Sequence, residues 1–224
     1  MKDYNIFDII GPIMIGPSSS HTAGACRIGY TAQNIIKVPV TEVAFTLYGS
    51  FGKTYRGHGS DIALLAGFLG IKPDDERLVD AFKIAENRGL IYTFIPSEDD
   101  TPHPNTVKIT AKTNRLKTWE IVGVSIGGGK MIINSINGID VQYTDDYNTL
   151  VTNHKDSTGM LSKISTRLSE HRINIAFMKL YREEKGHKAI GIIETDETIP
   201  KEVLSELMQL EGIIHVNLIE KIYD

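Results

Sequence analysis

The segment Gly16-Pro-Ser-Ser-Ser-His-Thr-Ala-Gly24 sets Ser18, Ser19, Ser20, His21 and Thr22 side by side, four hydroxyls and one imidazole. Behind it Ala25, Ile28, Gly29, Ala32, Ile35 and Ile36 recur at the i, i+3, i+4, i+7 spacing of a buried helical face. The polar run is therefore the loop into a helix and the first turn of that helix. A helix start presents unpaired N–H groups and the positive end of the macrodipole. Hydroxyls add donors, so the place suits a carboxylate or phosphate. A Ser or Thr here also serves as a plain N-cap. One hydroxyl suffices for a cap; the residues leave both readings open.

Two further stretches put an imidazole at the end of an element. Gly57-His-Gly-Ser-Asp61 opens directly onto an apolar helical run at 62–69, with Ser60 or Asp61 as its cap and Gly70 as the residue that ends it. His103-Pro-Asn105 stands with Thr106 at the mouth of a strand over 107–112. The other histidines, His154, His171, His187 and His215, fall in exposed turns or on strand faces. No His, Cys, Asp or Glu spacing matches a zinc motif, and there is no Walker loop. Gly-x-Ser-x-Gly is absent as well. The lone cysteine, Cys26, lies between buried helical positions and reads as a small core residue. One cysteine cannot form an internal disulfide framework or hold an iron–sulfur cluster, and it points to a reducing compartment.

The elements that must position these loops follow from periodicity. An apolar lead-in at 6–10 closes at Gly11-Pro12, a strand runs over 41–48, and Gly49 to Gly52 make a turn. A helix over 73–87 starts with Asp74, Asp75 and Glu76 at its positive end and buries Leu78, Phe82 and Ala85. Strands at 90–95, 107–112 and 117–126 follow, with a polar loop at 96–105, a turn at 113–116 and the triple glycine Gly127 to Gly129. Asn137-Gly138 between 131–136 and 139–143 is a type I′ hairpin signal. From residue 146 the order is strand, helix, strand, strand, helix, strand. The strands cover 148–153, 173–180, 188–194 and 213–219; one helix buries Leu161, Ile164 and Leu168, the other, from Pro200, Val203, Leu204, Leu207 and Met208. This βαββαβ order is ferredoxin-like. The fold class is α+β in two domains, 1–145 and 146–224.

A chain of 224 residues is comfortable for two modest domains. Hydrophobic content of 41% against 23% charged is that of a soluble globular protein. The net charge of −4 does not separate along the chain, so no face for a nucleic-acid backbone is implied. Apolar runs fall short of a membrane span, and Met1 to Asn5 lacks the features of a secretory signal, so the cytoplasm is expected.

Taken together, Gly16 to Gly24, Tyr48-Gly-Ser50, Gly57 to Asp61, His103-Pro-Asn105 and Ser125-Ile-Gly-Gly-Gly129 resemble, in that order, the beta subunit of bacterial iron–sulfur-dependent L-serine dehydratase. The resemblance covers essentially the whole chain; its second part is similar to the ACT fold. It implies a lyase of amino-acid catabolism that turns L-serine into pyruvate and ammonia. It also implies a 4Fe–4S cluster held by a separate alpha subunit, with no metal ligand in this chain. By the same resemblance His58 is the catalytic base, and an imidazole is suited to that task near neutral pH. Ser18, Ser19, Ser20, Thr22 and Gly57 bind substrate. His21 is a charged or donor partner of the serine carboxylate, and His103 and Asn105 form the opposite wall. Gly127 to Gly129 shape the pocket or the subunit contact. Ser60 stands where the family pattern leads one to expect Thr, and a hydroxyl is kept. The turn with Asp156, Ser157 and Gly159 resembles the ACT ligand loop, and ACT domains also form homodimers. The first domain resembles, too, the allosteric substrate-binding domain of some D-3-phosphoglycerate dehydrogenases, which leaves a non-catalytic sensor as the alternative.

Overall fold

A computed structural model describes residues 13–114, 117–144, 146–182 and 185–221. The expected lead-in at 6–10 lies outside these residues, as do parts of the turns at 113–116 and 183–186. The chain divides after Thr144 into two compact units.

The first unit opens with a π-helical turn (Ser19–Gly24) that runs into helix α1 (Ala25–Ile36). Then come β1 (Val40–Leu47), α2 (Gly49–Thr54), α3 (Ser60–Phe68), a 3-10 turn (Glu76–Asp80), α4 (Ala81–Asn87) and β2 (Ile91–Pro96). Strands β3 (Thr106–Thr113), β4 (Thr118–Gly127), β5 (Lys130–Ile136) and β6 (Ile139–Tyr143) complete the unit. The sheet order is β2-β1-β3-β4-β5-β6, with β1 and β2 parallel and every other neighbour antiparallel. Strand β3 shows why one face is covered: Val107, Ile109 and Ala111 are buried, whereas Lys112 between them and the turn is exposed. All six apolar positions expected of α1 are buried. Each Ile or Leu so buried contributes about 1.5–3 kcal/mol.

Helices α1 and α3 cross at two glycines. A Cβ on Gly67 would stand 1.9 Å from the Cys26 carbonyl oxygen, and one on Gly29 2.2 Å from that of Leu64. No side chain fits between these backbones. Because α1 continues the Ser-rich turn and α3 follows His58 by two residues, this crossing sets the distance between the two histidine loops.

Several expectations are corrected. Gly49 to Gly52 is a short helix instead of a turn, because the Pro104 carbonyl accepts from the N–H groups of Ser50 and Phe51 and so satisfies its start. Helix α3 begins earlier than expected and neither Ser60 nor Asp61 caps it. Gly59, left-handed at φ +66, is the N-cap, and the Tyr55 carbonyl takes the Ser60 N–H. The stretch 73–87 breaks into a 3-10 turn capped by the Asp75 side chain and the shorter α4. The hairpin signal holds: Asn137 and Gly138 both have positive φ, as type I′ requires.

The second unit runs β7 (Asn148–Lys155), α5 (Met160–Glu170), β8 (Ile175–Arg182), β9 (Lys188–Thr195), α6 (Lys201–Met208) and β10 (Ile213–Ile219). Its sheet order is β10-β7-β9-β8, antiparallel throughout. Leu150, Ile164, Leu168, Ile193, Val203, Leu207 and Val216 form its core. Three details differ from expectation. Gly159 at φ +84 launches α5 so that Met160 is buried and Leu161 only half-buried. Met208, at the very end of α6, is 45% exposed. His154 is buried, since β7 extends past it and is flanked by β9 and β10.

Candidate active site

Ser18 starts the site. Its backbone is extended, its Oγ accepts from the His21 N–H at 3.1 Å, and its carbonyl accepts from both Thr22 and Ala23 N–H. The doubled bond to one carbonyl marks the wider π-turn, a feature that concentrates at functional sites. Gly16, at φ +123, lies so close to Thr22 that a Cβ would meet its methyl at 2.4 Å. From below, the buried Ser125 hydroxyl donates to the Ser20 carbonyl at 2.8 Å. Gly24 makes room for it, since a Cβ there would stand 2.1 Å from the same oxygen. The turn is thus seated on the end of β4.

His21 is the centre of the cluster. Its Nδ1 lies 3.1 Å from Ser20 Oγ and its Nε2 3.0 Å from Ser50 Oγ. The ring meets Phe51 edge-on at 5.2 Å and lies 4.9 Å from the His58 ring, tilted by 44°. Burial lowers the His21 pKa below its ordinary 6.5, and the positive charge available to His58 lowers it further. A neutral imidazole is favoured.

His58 itself is exposed, between exposed Gly57 and left-handed Gly59. Its carbonyl accepts from Thr22 Oγ1 at 3.1 Å, and its N–H donates to the Thr54 carbonyl. Thr22 is buried, and its hydroxyl holds the His58 backbone. His103 accepts from the Asn105 N–H through Nδ1, while its carbonyl accepts from the Thr101 and Thr106 hydroxyls. The segment joins the cluster at two places. The Pro104 carbonyl holds the Ser50 N–H, and Asn105 pairs with the backbone of Ser125. Three loops and the end of β4 thus converge.

Ser50, Phe51 and Ser125 are the members that residue-by-residue reading left without a role. The available signal was position: Ser50 stands in the junction just after a strand, and Ser125 precedes the triple glycine whose residues all have positive φ. An open groove of about 680 Å³ lies alongside α2, between Lys53 and the acidic stretch Glu98 to Asp100. It shares Gly49 and Pro104 with the site, but none of the three loop histidines lines it.

Among the described residues no group of three or more His, Cys, Asp or Glu is placed to hold a metal ion. Cys26 is buried and donates to the Ile71 carbonyl at 3.3 Å; burial and neighbouring Asp74 push its thiol well above the usual range. In the second unit, Asp156 is already engaged: its carboxylate accepts from the Gly186 N–H at 2.9 Å and pairs with Arg182 at 3.3 Å. Ser157 and Gly159 beside it are exposed.

Comparison with known proteins decides the family. The chain is 39% identical to the probable L-serine dehydratase beta chain of Bacillus subtilis (strain 168), over 98% of this chain and 99% of that one. The chain belongs to the L-serine dehydratase beta chain family. The beta chain of Peptoniphilus asaccharolyticus L-serine dehydratase is 36% identical over 98% of this chain and 100% of its own length. A family model described as serine dehydratase beta chain matches residues 5–88, and one described as ACT domain matches 148–212. The chain is therefore α+β, a serine dehydratase beta domain followed by a ferredoxin-like ACT domain. A D-3-phosphoglycerate dehydrogenase of Bacillus subtilis (strain 168) is 27% identical over 88% of the chain and 37% of its own length. Among solved structures, the ACT domain of a Chlorobium tepidum GTP pyrophosphokinase covers 32% of the chain at 18% identity and a TM-score of 0.26. No helix among the described residues is long and apolar enough to cross a membrane.

Proposed function

We propose that this chain is the beta subunit of a cytoplasmic L-serine dehydratase, completing with an alpha subunit a site that converts L-serine to pyruvate and ammonia. The observation that carries the reading is the convergence of His21, His58, Ser20 and Ser50 in a chain whose relatives of that name match it end to end. The substrate carboxylate is taken by the hydroxyls of Ser18, Ser19 and Ser20 and the N–H groups of the helix start, with His21 backing the Ser20 hydroxyl. His103 and Asn105 close the opposite side. Exposed His58 removes the proton from Cα. The electron pair of that C–H bond forms the Cα–Cβ double bond as the hydroxyl leaves Cβ, and the resulting enamine hydrolyses to pyruvate and ammonia.

The residues of this chain do not fit a 4Fe–4S cluster, because Cys26 is buried and its thiol is held protonated. In this reading the cluster belongs to the alpha subunit, and this chain contributes binding and proton removal. The test is pyruvate formation from L-serine under anaerobic conditions with the alpha subunit reconstituted. His58→Ala is expected to lower turnover by about two to four powers of ten; undiminished turnover would remove His58 from the role.

The similarity to a D-3-phosphoglycerate dehydrogenase over most of the chain favours a second reading, a serine- or anion-sensing module. Calorimetry separates the two. A sensor binds L-serine without a partner and gives no pyruvate with one.

A further inference from the structure

Ser50 enters the histidine cluster from an element of its own. Its Oγ lies 3.0 Å from His21 Nε2, and its N–H donates to the Pro104 carbonyl at 2.7 Å. Gly49 before it has φ +54, and a Cβ there would stand 2.6 Å from the same carbonyl oxygen. Phe51 after it is fully buried and meets the His21 ring edge-on. The start of α2 is therefore fixed on both sides, and the Ser50 hydroxyl with it. On the opposite side of the ring stands Ser20 Oγ, whose turn Ser125 holds in place. A ring engaged at both nitrogens by fixed hydroxyls, with an aromatic wall at its edge, has one orientation. Each hydroxyl can donate or accept, so either neutral tautomer keeps both contacts; what the two hydroxyls fix is the direction of the ring.

We propose that Ser50 is a positioning residue of the site, its hydroxyl fixing the His21 imidazole in one orientation beside His58. This rests on the serine dehydratase reading for its catalytic consequence, but not for the state of the ring. Without Ser50 the Nε2 side of the ring is released, and the imidazole loses its direction relative to His58 and Ser20. Misplacement of about 1 Å at a reacting centre costs up to about a hundredfold in rate.

The experiment reads the ring first. In the full chain alone, labelled with carbon-13, relaxation of the His21 ring Cε1–H is expected to show a ring as rigid as the backbone near neutral pH. Ser50→Ala is expected to loosen the ring on the nanosecond scale, and Ser50→Thr, which keeps a hydroxyl, to hold the wild-type relaxation. With the alpha subunit added, Ser50→Ala is expected to lower kcat about tenfold to a hundredfold with a smaller change in KM, and Ser50→Thr to recover most of it. A mobile His21 ring in the wild type would overturn the proposal whether or not a variant folds. So would Ser50→Ala with wild-type ring relaxation and wild-type kcat. If the reconstituted wild type makes no pyruvate, the serine dehydratase reading fails, while the ring relaxation still decides the positioning claim.

Discussion

Gly67→Ala tests whether the crossing of α1 and α3 holds the two histidine loops together. The added Cβ would lie 1.9 Å from the Cys26 carbonyl oxygen and 2.7 Å from the Tyr30 nitrogen, so it falls about 1.5 Å short of ordinary contact. Both neighbours are backbone atoms of α1, and neither can turn aside as a side chain would. Two effects compete. Ala favours a helix over Gly by about 1 kcal/mol, whereas overpacking costs about 1–3 kcal/mol and more where the neighbours cannot yield. Rigid backbone on both sides puts the cost at the upper end, so a net loss of roughly 2 kcal/mol is expected. Trp119, the chain's one tryptophan, lies on β4 and reports on the first unit alone. With a urea m-value of about 2 kcal/mol/M, its fluorescence midpoint should fall by roughly 1 M. Gly57→Ala is the control: its nearest atom would be 3.7 Å away, and a shift within about 0.5 kcal/mol is expected. A Gly67→Ala midpoint equal to or above that of the wild type would refute the close-crossing argument. The distance between His21 and His58 would then have to be set by something else.

Two further outcomes follow from the geometry. His21 is held below its ordinary pKa of 6.5, first by burial and then by His58, so the folded state resists its protonation. Its contribution to stability is therefore present above that value and is lost as the pH falls towards the lower folded pKa. The drop in unfolding temperature from about pH 7.5 to about pH 5.5 should be larger in the wild type than in His21→Gln; equal drops would show that His21 is not the group concerned. In the ACT domain, Asp156→Ala removes the acceptor of the Gly186 N–H and the partner of Arg182. A loss of about 1–2 kcal/mol is expected, together with faster hydrogen exchange at the Gly186 amide. Unchanged exchange there would mean that the carboxylate does not tie the turn to the hairpin.

Much of the fold could be read locally. Alternation marked β3, the 3.6-residue spacing marked α1, and Asn137-Gly138 marked its hairpin, because each depends on neighbours in the chain. The errors share one cause. The Gly49 helix exists because a carbonyl more than fifty residues away accepts its first N–H groups. The cap of α3 moved to Gly59 because the chain reverses there against Tyr55, and His154 is buried because two other strands flank it.

The same division holds for the site. By itself the sequence determined which residue types were available: hydroxyls at a helix start, imidazoles in glycine- and proline-bounded loops, and too few thiols for a cluster. Those are properties of composition and short-range spacing. Only the tertiary structure decided that His21 and His58 lie within 5 Å of one another, that Thr22 spends its hydroxyl on the His58 backbone, and that Ser50 and Ser125 brace the turn. Those relations join residues 29 to 105 positions apart. They come from two helices meeting at glycines and from the order of strands in a sheet, neither of which is written in any one stretch of chain.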